Sequence, residues 1–378
     1  MRSSHVLRRL GSVPVARFMR EYWQRRPLLI RNAFPGFRPP VDRDAVLALA
    51  RRGDVESRLV SRFGGRWSMQ HGPLDRLPSA RRAGWTLLVQ GVDLLDESAH
   101  ALLGSFRFVP DARLDDLMVS YATDGGGVGP HVDSYDVFLL QAAGRRRWRI
   151  SRQRDLAVDP DAPLKVLSHF RPEQEWVLEP GDMLYLPPGV AHEGTAVGEC
   201  LTYSVGFRAP TFQELLAPWL DEFAAAATVP GRYADPGLEA TRRPGALPRA
   251  MVEGIHAALR RQQPGKADTR RFLLRHLTEP KAQVVFDRPR RPASVAGFID
   301  RAARRGLALD RRTRLMYAGG ELGINGESVP APAGCRTALV ALADRRRLAA
   351  DAIAGVPPAG QALLHAWYEA GWLHLGGG

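Results

Sequence analysis

The chain has 378 residues, 45 % of them hydrophobic and 25 % charged, ordinary values for a globular protein long enough for two or three domains. Its two cysteines, Cys200 and Cys335, lie far apart with no C-x-x-C, which argues against a disulfide framework and against zinc and fits a reducing cytoplasm. The formal net charge of +13 favours encounter with acidic partners such as ribosomal RNA. No apolar run approaches transmembrane length, and the basic start, Met1 to Leu10, has no apolar stretch behind it, so neither a membrane span nor a signal peptide is expected.

Taken in order, Ser12 and Pro14 open a helix through Trp23, with Val15, Phe18, Met19 and Tyr22 at helical spacing. Leu28 to Ile30 is a short buried strand and Asp42 to Arg51 a second helix. Val55 to Val60, Arg66 to Gln70 and Trp85 to Val89 read as strands, followed by a short helix from Glu97 to Leu103. Phe106 and Phe108 alternate toward one face and suit core packing. Further strands are expected at 117–122, 136–141, 146–151, 175–178, 183–186 and 200–207. Many short strands broken by Gly and Pro turns suggest a double-sheet jelly roll of the cupin type.

Within these strands one stretch carries chemistry. His131 and Asp133, two apart behind the glycine run Gly125 to Gly129, leave the chain by the same face and precede the apolar run Val137 to Leu140. His192 follows 61 positions after His131, beyond the strand Leu184 to Leu186 and a Pro/Gly turn. Two imidazoles and one carboxylate form the facial triad that leaves positions open on non-heme Fe(II). After Gln141 to Ala143, a hairpin with Gly144 in the turn leads into Arg145 to Ile150. Alternation puts Arg145, Arg147 and Arg149 on one face and Arg146, Trp148 and Ile150 on the other. An inward arginine requires a carboxylate, which a dicarboxylate cosubstrate or a protein Asp or Glu could supply.

Past Pro210 the period becomes helical. Thr211 caps a helix through Ala227 with Phe212, Leu215, Leu216, Trp219, Leu220 and Phe223 in a broad apolar stripe. Pro230 to Pro248 reads as a loop, Met251 to Arg261 and Thr269 to Leu277 as helices, and Pro289 to Pro292 as a linker. Then come a helix near 293–304, a hairpin around Gly319-Gly320 and Asn325-Gly326, a helix at 336–347, and Gln361 to Gly371 leading into Trp372 to Leu375. Helices with a small β-wing look like a winged helix, but without a clear basic recognition helix no specific DNA binding is expected.

The blocks Asp115 to Ser120, Gly125 to Asp133, Tyr135 to Phe138, Gly144 to Trp148, Glu179 to Pro188, His192 to Gly194 and Tyr203 to Pro210 resemble the bacterial ribosomal oxygenases over nearly the whole chain. That resemblance implies a JmjC-type, cupin-fold, 2-oxoglutarate-dependent hydroxylase acting on an arginine, at the 3-position, of protein sixteen of the large ribosomal subunit. By position, His131, Asp133 and His192 match the iron ligands, and Arg146 and Ser120 match the residues that hold 2-oxoglutarate. An arginyl substrate calls for an acidic or aromatic lining, for which Asp124, Tyr121 and Tyr135 are the nearest candidates in sequence. The region after Pro210 forms a dimer in the resembling family, so a homodimer is expected.

The sequence thus reads as a mixed α/β chain: a double-stranded β-helix of JmjC cupin type with N-terminal helices at 1–210, a helical dimerisation segment at 211–290, and a winged-helix-like domain at 291–378. The expected activity is a cytoplasmic Fe(II)/2-oxoglutarate oxygenase using O2. Two other readings compete with it: a JmjC-type protein demethylase, which the H-x-D…H pattern alone does not separate from a hydroxylase, and a non-catalytic cupin or winged-helix binding protein.

Overall fold

The computed structural model describes residues 6–208 and 210–376. Met1 to His5 of the basic start, Ala209 of the last motif block, and Gly377 and Gly378 of the third expected domain lie outside the described residues. The chain divides into two compact units, Met1–Ala209 with Lys281–Val285, and Pro210–Pro280 with Phe286–Gly378.

The first unit is built on one antiparallel sheet with the order Leu28–Ile30, Met183–Leu186, Val137–Ser151, Ala191–Phe207, Leu114–Ala122, Trp85–Val89, Ser57–Phe63, Arg66–His71. Gln174–Leu178 and His131–Val132 pair off this path, with Val137–Ser151 and Ala191–Phe207 respectively. Strand alternation sorts the side chains into two populations. Val119, Tyr121, Phe138, Leu140, Tyr185, Tyr203 and Val205 pack with Phe18 and Phe106 in the large aromatic core between the sheet and the N-terminal helices. Val137, Leu139, Trp148, Ile150, Leu184 and Leu186 form a second, smaller cluster on the opposite face, inside the roll.

The hairpin expected at Gly144 does not form. Val137–Ser151 runs through it as one 15-residue strand, and its neighbour Ala191–Phe207 as one of 17 residues rather than starting at 200. Their pairing is interrupted between Val197 and Leu201, where the register shifts. A shift of this kind bends a strand without ending it. Each strand therefore serves both layers: its partner segments change at the corner, from Met183–Leu186 to Gln174–Leu178 for the first strand. The corner depends on Gly144, which has φ of 63° and whose added Cβ would lie 2.1 Å from the Glu199 carbonyl oxygen. The Gln141 amide nitrogen stitches the bend by donating to the carbonyls of Ala143 at 2.9 Å and Gly144 at 3.3 Å. Parity switches at the bend, so Val137 and Leu139 before it share the inner face with Arg146 at 5 % exposure, Trp148 at 5 % and Ile150 at 3 % after it, the grouping expected for 146–150.

In the second unit, Thr211 and Glu214 cap Phe212–Ala226 reciprocally, and Arg249–Arg260 and Lys266–Thr278 follow. Beyond them lie Val295–Arg305, a three-stranded wing (Leu315–Ala318, Glu321–Ile324, Glu327–Pro330), Arg336–Arg345 and Pro358–Glu369. Phe298, Leu339, Leu342, Leu364, Trp367 and Leu373 fill its core. Asp310 ties its ends, accepting from Arg312 Nε at 2.7 Å and lying 3.0 Å from His374 Nε2, and these partners hold its carboxyl far below the usual carboxylate range against the effect of burial. Among the described residues no helix is long and apolar enough to cross a membrane.

The corner generates a graded prediction. Gly198, across the same bend, has φ of 73° but nothing within 4 Å of an added Cβ. Gly198→Ala should cost only the left-handed backbone penalty, about 1–2 kcal/mol. Gly144→Ala should cost about 1–3 kcal/mol more, because the Glu199 backbone must give way. Melting temperatures measured side by side check the order; equal losses would show that clearance at Gly144 does not shape the corner.

Candidate active site

The glycine run is folded tightly against the inner end of the roll. Gly125 N–H donates to Ala196 O at 3.0 Å and Ala196 N–H to Gly126 O at 2.9 Å, so the loop is tied to the His192 strand. A Cβ on Gly127 would sit 2.4 Å from Gly194 O, which explains why this approach requires glycine. The loop's far end is anchored by Asp136, fully buried, which accepts from Tyr185 Oη at 2.6 Å, Gln24 Nε2 at 3.0 Å and an Arg113 guanidinium nitrogen at 3.1 Å.

Between these anchors His131 and His192 stand directly opposite in the strand register. Their rings are 4.2 Å apart between centroids, and His192 Nε2 is 3.6 Å from an Asp133 carboxylate oxygen. One ligand atom from each of His131, Asp133 and His192 falls within 4.8 Å of the others. Both imidazoles are oriented the same way: His131 Nδ1 lies 2.9 Å from Gly129 O and His192 Nδ1 lies 2.9 Å from Val190 O. A carbonyl only accepts, so each Nδ1 carries the proton and each Nε2 presents its lone pair. Burial and the neighbouring His131 push His192 down to about 4, with Asp133 opposing. At neutral pH His192 is therefore neutral, and a metal there competes with no proton. The donor set and its orientation fit a divalent metal with open coordination positions.

Arg146 lies on the same inner face. One guanidinium nitrogen donates to Ser120 Oγ at 3.3 Å, and Ser120 Oγ donates to Thr202 O at 3.3 Å. Arg146 makes no ion pair with an acidic side chain among the described residues, and its Nε, buried, has no hydrogen-bond partner. Of the two carboxylate sources the sequence left open, the protein Asp or Glu is absent among the described residues. Such a buried guanidinium fits the far end of a dicarboxylate.

The three lining candidates separate. Tyr121 belongs to the aromatic core, 5.2 Å from the Trp85 ring, because its strand parity is opposite to that of Ser120. It therefore faces away from the triad, a correction to the expected lining. Asp124 is exposed and accepts from Gly198 N–H at 2.8 Å, a turn role at the corner. Tyr135 stays at the mouth, where burial of its phenol and the Asp133 and Asp116 carboxylates raise its pKa. Those neighbours expose a residue that sequence reasoning missed. Asp116 is two positions of like parity before Met118 and four before Ser120, so it faces inward, where burial pushes its carboxyl up and Lys281, 3.2 Å away, opposes. Counting parity back from Ser120 was the signal available for it.

This geometry agrees with known proteins. Residues 101–215 match the JmjC domain family and residues 258–374 the ROXA-like winged helix. The ribosomal protein uL16 3-hydroxylase of Escherichia coli K12 is 35 % identical over 339 residues, covering 88 % of this chain and 90 % of that one. The chain belongs to the JmjC ribosomal oxygenases. The solved structure of YcfD, a ribosomal oxygenase from Escherichia coli, superposes with a TM-score of 0.84 at 31 % identity, covering 98 % of this chain and all of that one. YcfD in complex with cobalt and 2-oxoglutarate gives 0.83 at 32 % identity over 97 % of this chain and 99 % of that one. The jelly roll with a C-terminal winged helix, expected from the sequence, is the architecture of this ribosomal oxygenase.

A metal-binding prediction follows from the triad. His131→Ala or Asp133→Ala should weaken Co(II) binding by more than about 100-fold, since even outer-sphere changes at metal sites cost 10–100-fold. Circular dichroism should stay unchanged, because His131 and Asp133 lie at the half-buried end of the roll and outside its aromatic core. Unaltered Co(II) affinity in both variants would remove the metal assignment.

Proposed function

We propose that this chain is an Fe(II)- and 2-oxoglutarate-dependent oxygenase that hydroxylates an arginyl side chain, at the 3-position, of the large-subunit ribosomal protein uL16. The observation that carries the reading is Arg146, a buried guanidinium without a protein carboxylate, on the same face as three convergent metal-ligand side chains. His131, Asp133 and His192 hold the metal. Arg146 and Ser120 hold the far carboxylate of the cosubstrate. Iron with 2-oxoglutarate and O2 supplies the oxidant for an unactivated C–H bond.

The chain's own part is placement. The Nδ1–H bonds to Gly129 O and Val190 O fix both imidazole planes before anything binds. Tyr135 and the buried Asp116 form the acidic, aromatic mouth that suits a guanidinium: the ring takes its face and the carboxylate its charge. Holding the guanidinium there sets the distance of the β-carbon from the metal, which is how an otherwise unreactive position is selected. The inner cluster of Val137, Leu139, Leu184 and Leu186 keeps water from the base of the site.

The same reading extends to assembly and place. Phe212–Ala226 and Arg249–Arg260 have no fully buried residue, and they leave Phe212 at 93 %, Leu216 at 42 %, Leu220 at 45 %, Val252 at 49 % and Leu259 at 60 % exposed. A second copy of the chain would cover these stripes, the homodimer expected for 211–290. The basic excess suits a cytoplasmic enzyme that meets ribosomal RNA beside its protein target.

Three experiments test the reading. Incubation of uL16 with the enzyme, Fe(II), 2-oxoglutarate and O2 should add one oxygen atom to one arginine by tandem mass spectrometry; loss of a methyl group from a methylated peptide instead would point to a demethylase. Arg146→Ala should raise the 2-oxoglutarate Kd by about 30-fold or more, the effect of losing a buried charged partner worth roughly 2–5 kcal/mol. Arg145→Ala and Arg147→Ala, on the other face, should leave it nearly unchanged, and equal effects from all three would reject Arg146 as the anchor. For the mouth, Asp116→Asn should raise the KM for uL16 peptide with little change in the 2-oxoglutarate Kd, and an unchanged KM would exclude it from substrate binding.

A further inference from the structure

Arg146 Nε is not the only buried donor on its face without a partner among the described residues. Trp148, two residues along the same strand and 5 % exposed, has a buried Nε1–H that meets no acceptor. An indole N–H only donates, and leaving it unpaired in the interior is unfavourable. The ring stands between the two ends of the proposed cosubstrate site. Its centre is 5.7 Å from Arg146 Cζ and 6.0 Å from the His192 ring.

The ring is also held in place. Gly194, opposite Trp148 in the register, supports its benzo end: a Cβ there would fall 2.6 Å from Cη2, 2.7 Å from Cζ3 and 2.9 Å from Cζ2. Trp176 faces it from the other neighbouring strand. A strand that aims two unpartnered donors, Arg146 Nε and Trp148 Nε1, inward beside a metal-ligand imidazole is arranged for an anion and not for a packed apolar interior.

We propose that Trp148 is a positioning residue for the dicarboxylate: its Nε1–H donates to an oxygen of the far carboxylate, the one Arg146 holds. Arg146 supplies the charge, and Trp148 supplies a single directed donor that fixes the carboxylate's rotation and hence the line along which the keto-acid end meets the metal. The proposal rests on the cofactor reading above and adds to it a specificity for dicarboxylates over monocarboxylate keto acids.

The test uses the full chain loaded with Zn(II), which supports binding without turnover, and follows binding calorimetry together with indole 15N–1H spectra. The chain has 8 tryptophans, so the signal missing in Trp148→Phe identifies Trp148. That signal should shift on addition of 2-oxoglutarate, saturating with the calorimetric Kd, and should stay in place with 2-oxobutyrate, which lacks the far carboxylate. Trp148→Phe should raise the 2-oxoglutarate Kd about tenfold, the typical size of a hydrogen bond to a charged group, and leave Zn(II) affinity unchanged. Trp176→Phe should do neither. If Trp148→Phe does not fold, the wild-type signal, assigned through its contact with Gly194, still decides. An unmoved signal, or one that moves equally with 2-oxobutyrate, overturns the proposal while the cofactor reading stands. A Zn(II)-loaded wild type that does not bind 2-oxoglutarate overturns both.

Discussion

The pairing of Val137–Ser151 with Ala191–Phe207 is the constraint on which the site depends. Because both strands bend together at Gly144 and Gly198, one hydrogen-bonded ladder crosses from one layer of the roll to the other. The ladder places His192 opposite His131 and Ile150, Gly194 opposite Trp148, and Ala196 opposite Arg146. The candidate metal ligands and Arg146 are thereby held at fixed spacing by backbone hydrogen bonds instead of by mobile loops. Rigid placement of this kind lets a buried charge be held ready for its partner without collapsing onto another group.

The two faces of that sheet carry opposite loads. The aromatic core on one face, with Phe18, Phe106, Phe138, Tyr185 and Tyr203, provides the apolar burial that stabilises the unit. The other face gives up part of that burial to Arg146, Trp148 Nε1, Asp116 and the triad, groups that are costly to hide. Unsatisfied donors in an otherwise well-bonded interior mark where binding repays a cost incurred in folding. His192, neutral at ordinary pH because of burial and His131, follows the same logic.

Period-two alternation explains most of what could be read in advance. It put Arg146 with Trp148 and Ile150, and His131 with Asp133, because alternation holds within each segment even though the faces exchange at Gly144. The same rule applied to Leu114–Ala122 separates Tyr121 from Ser120 and adds Asp116, but nearness along the chain had suggested Tyr121 and Asp124 instead. Neighbours in sequence on a strand are on opposite faces in space.

The sequence by itself determined the candidate metal-ligand set, the inward arginine, the jelly-roll class and the helical and winged segments that follow, because these rest on local periodicity, spacing and long motif blocks. Tertiary structure alone decided that Gly144 is a bend and not a turn, because the clash that demands glycine comes from Glu199, 55 positions away in the chain. It alone decided that, among the described residues, Arg146 meets no protein carboxylate and Trp148 Nε1 no acceptor, and that both histidines turn Nδ1 to a backbone carbonyl. Those are statements about which groups fail to meet, or meet across the fold, and no local pattern of residues encodes them.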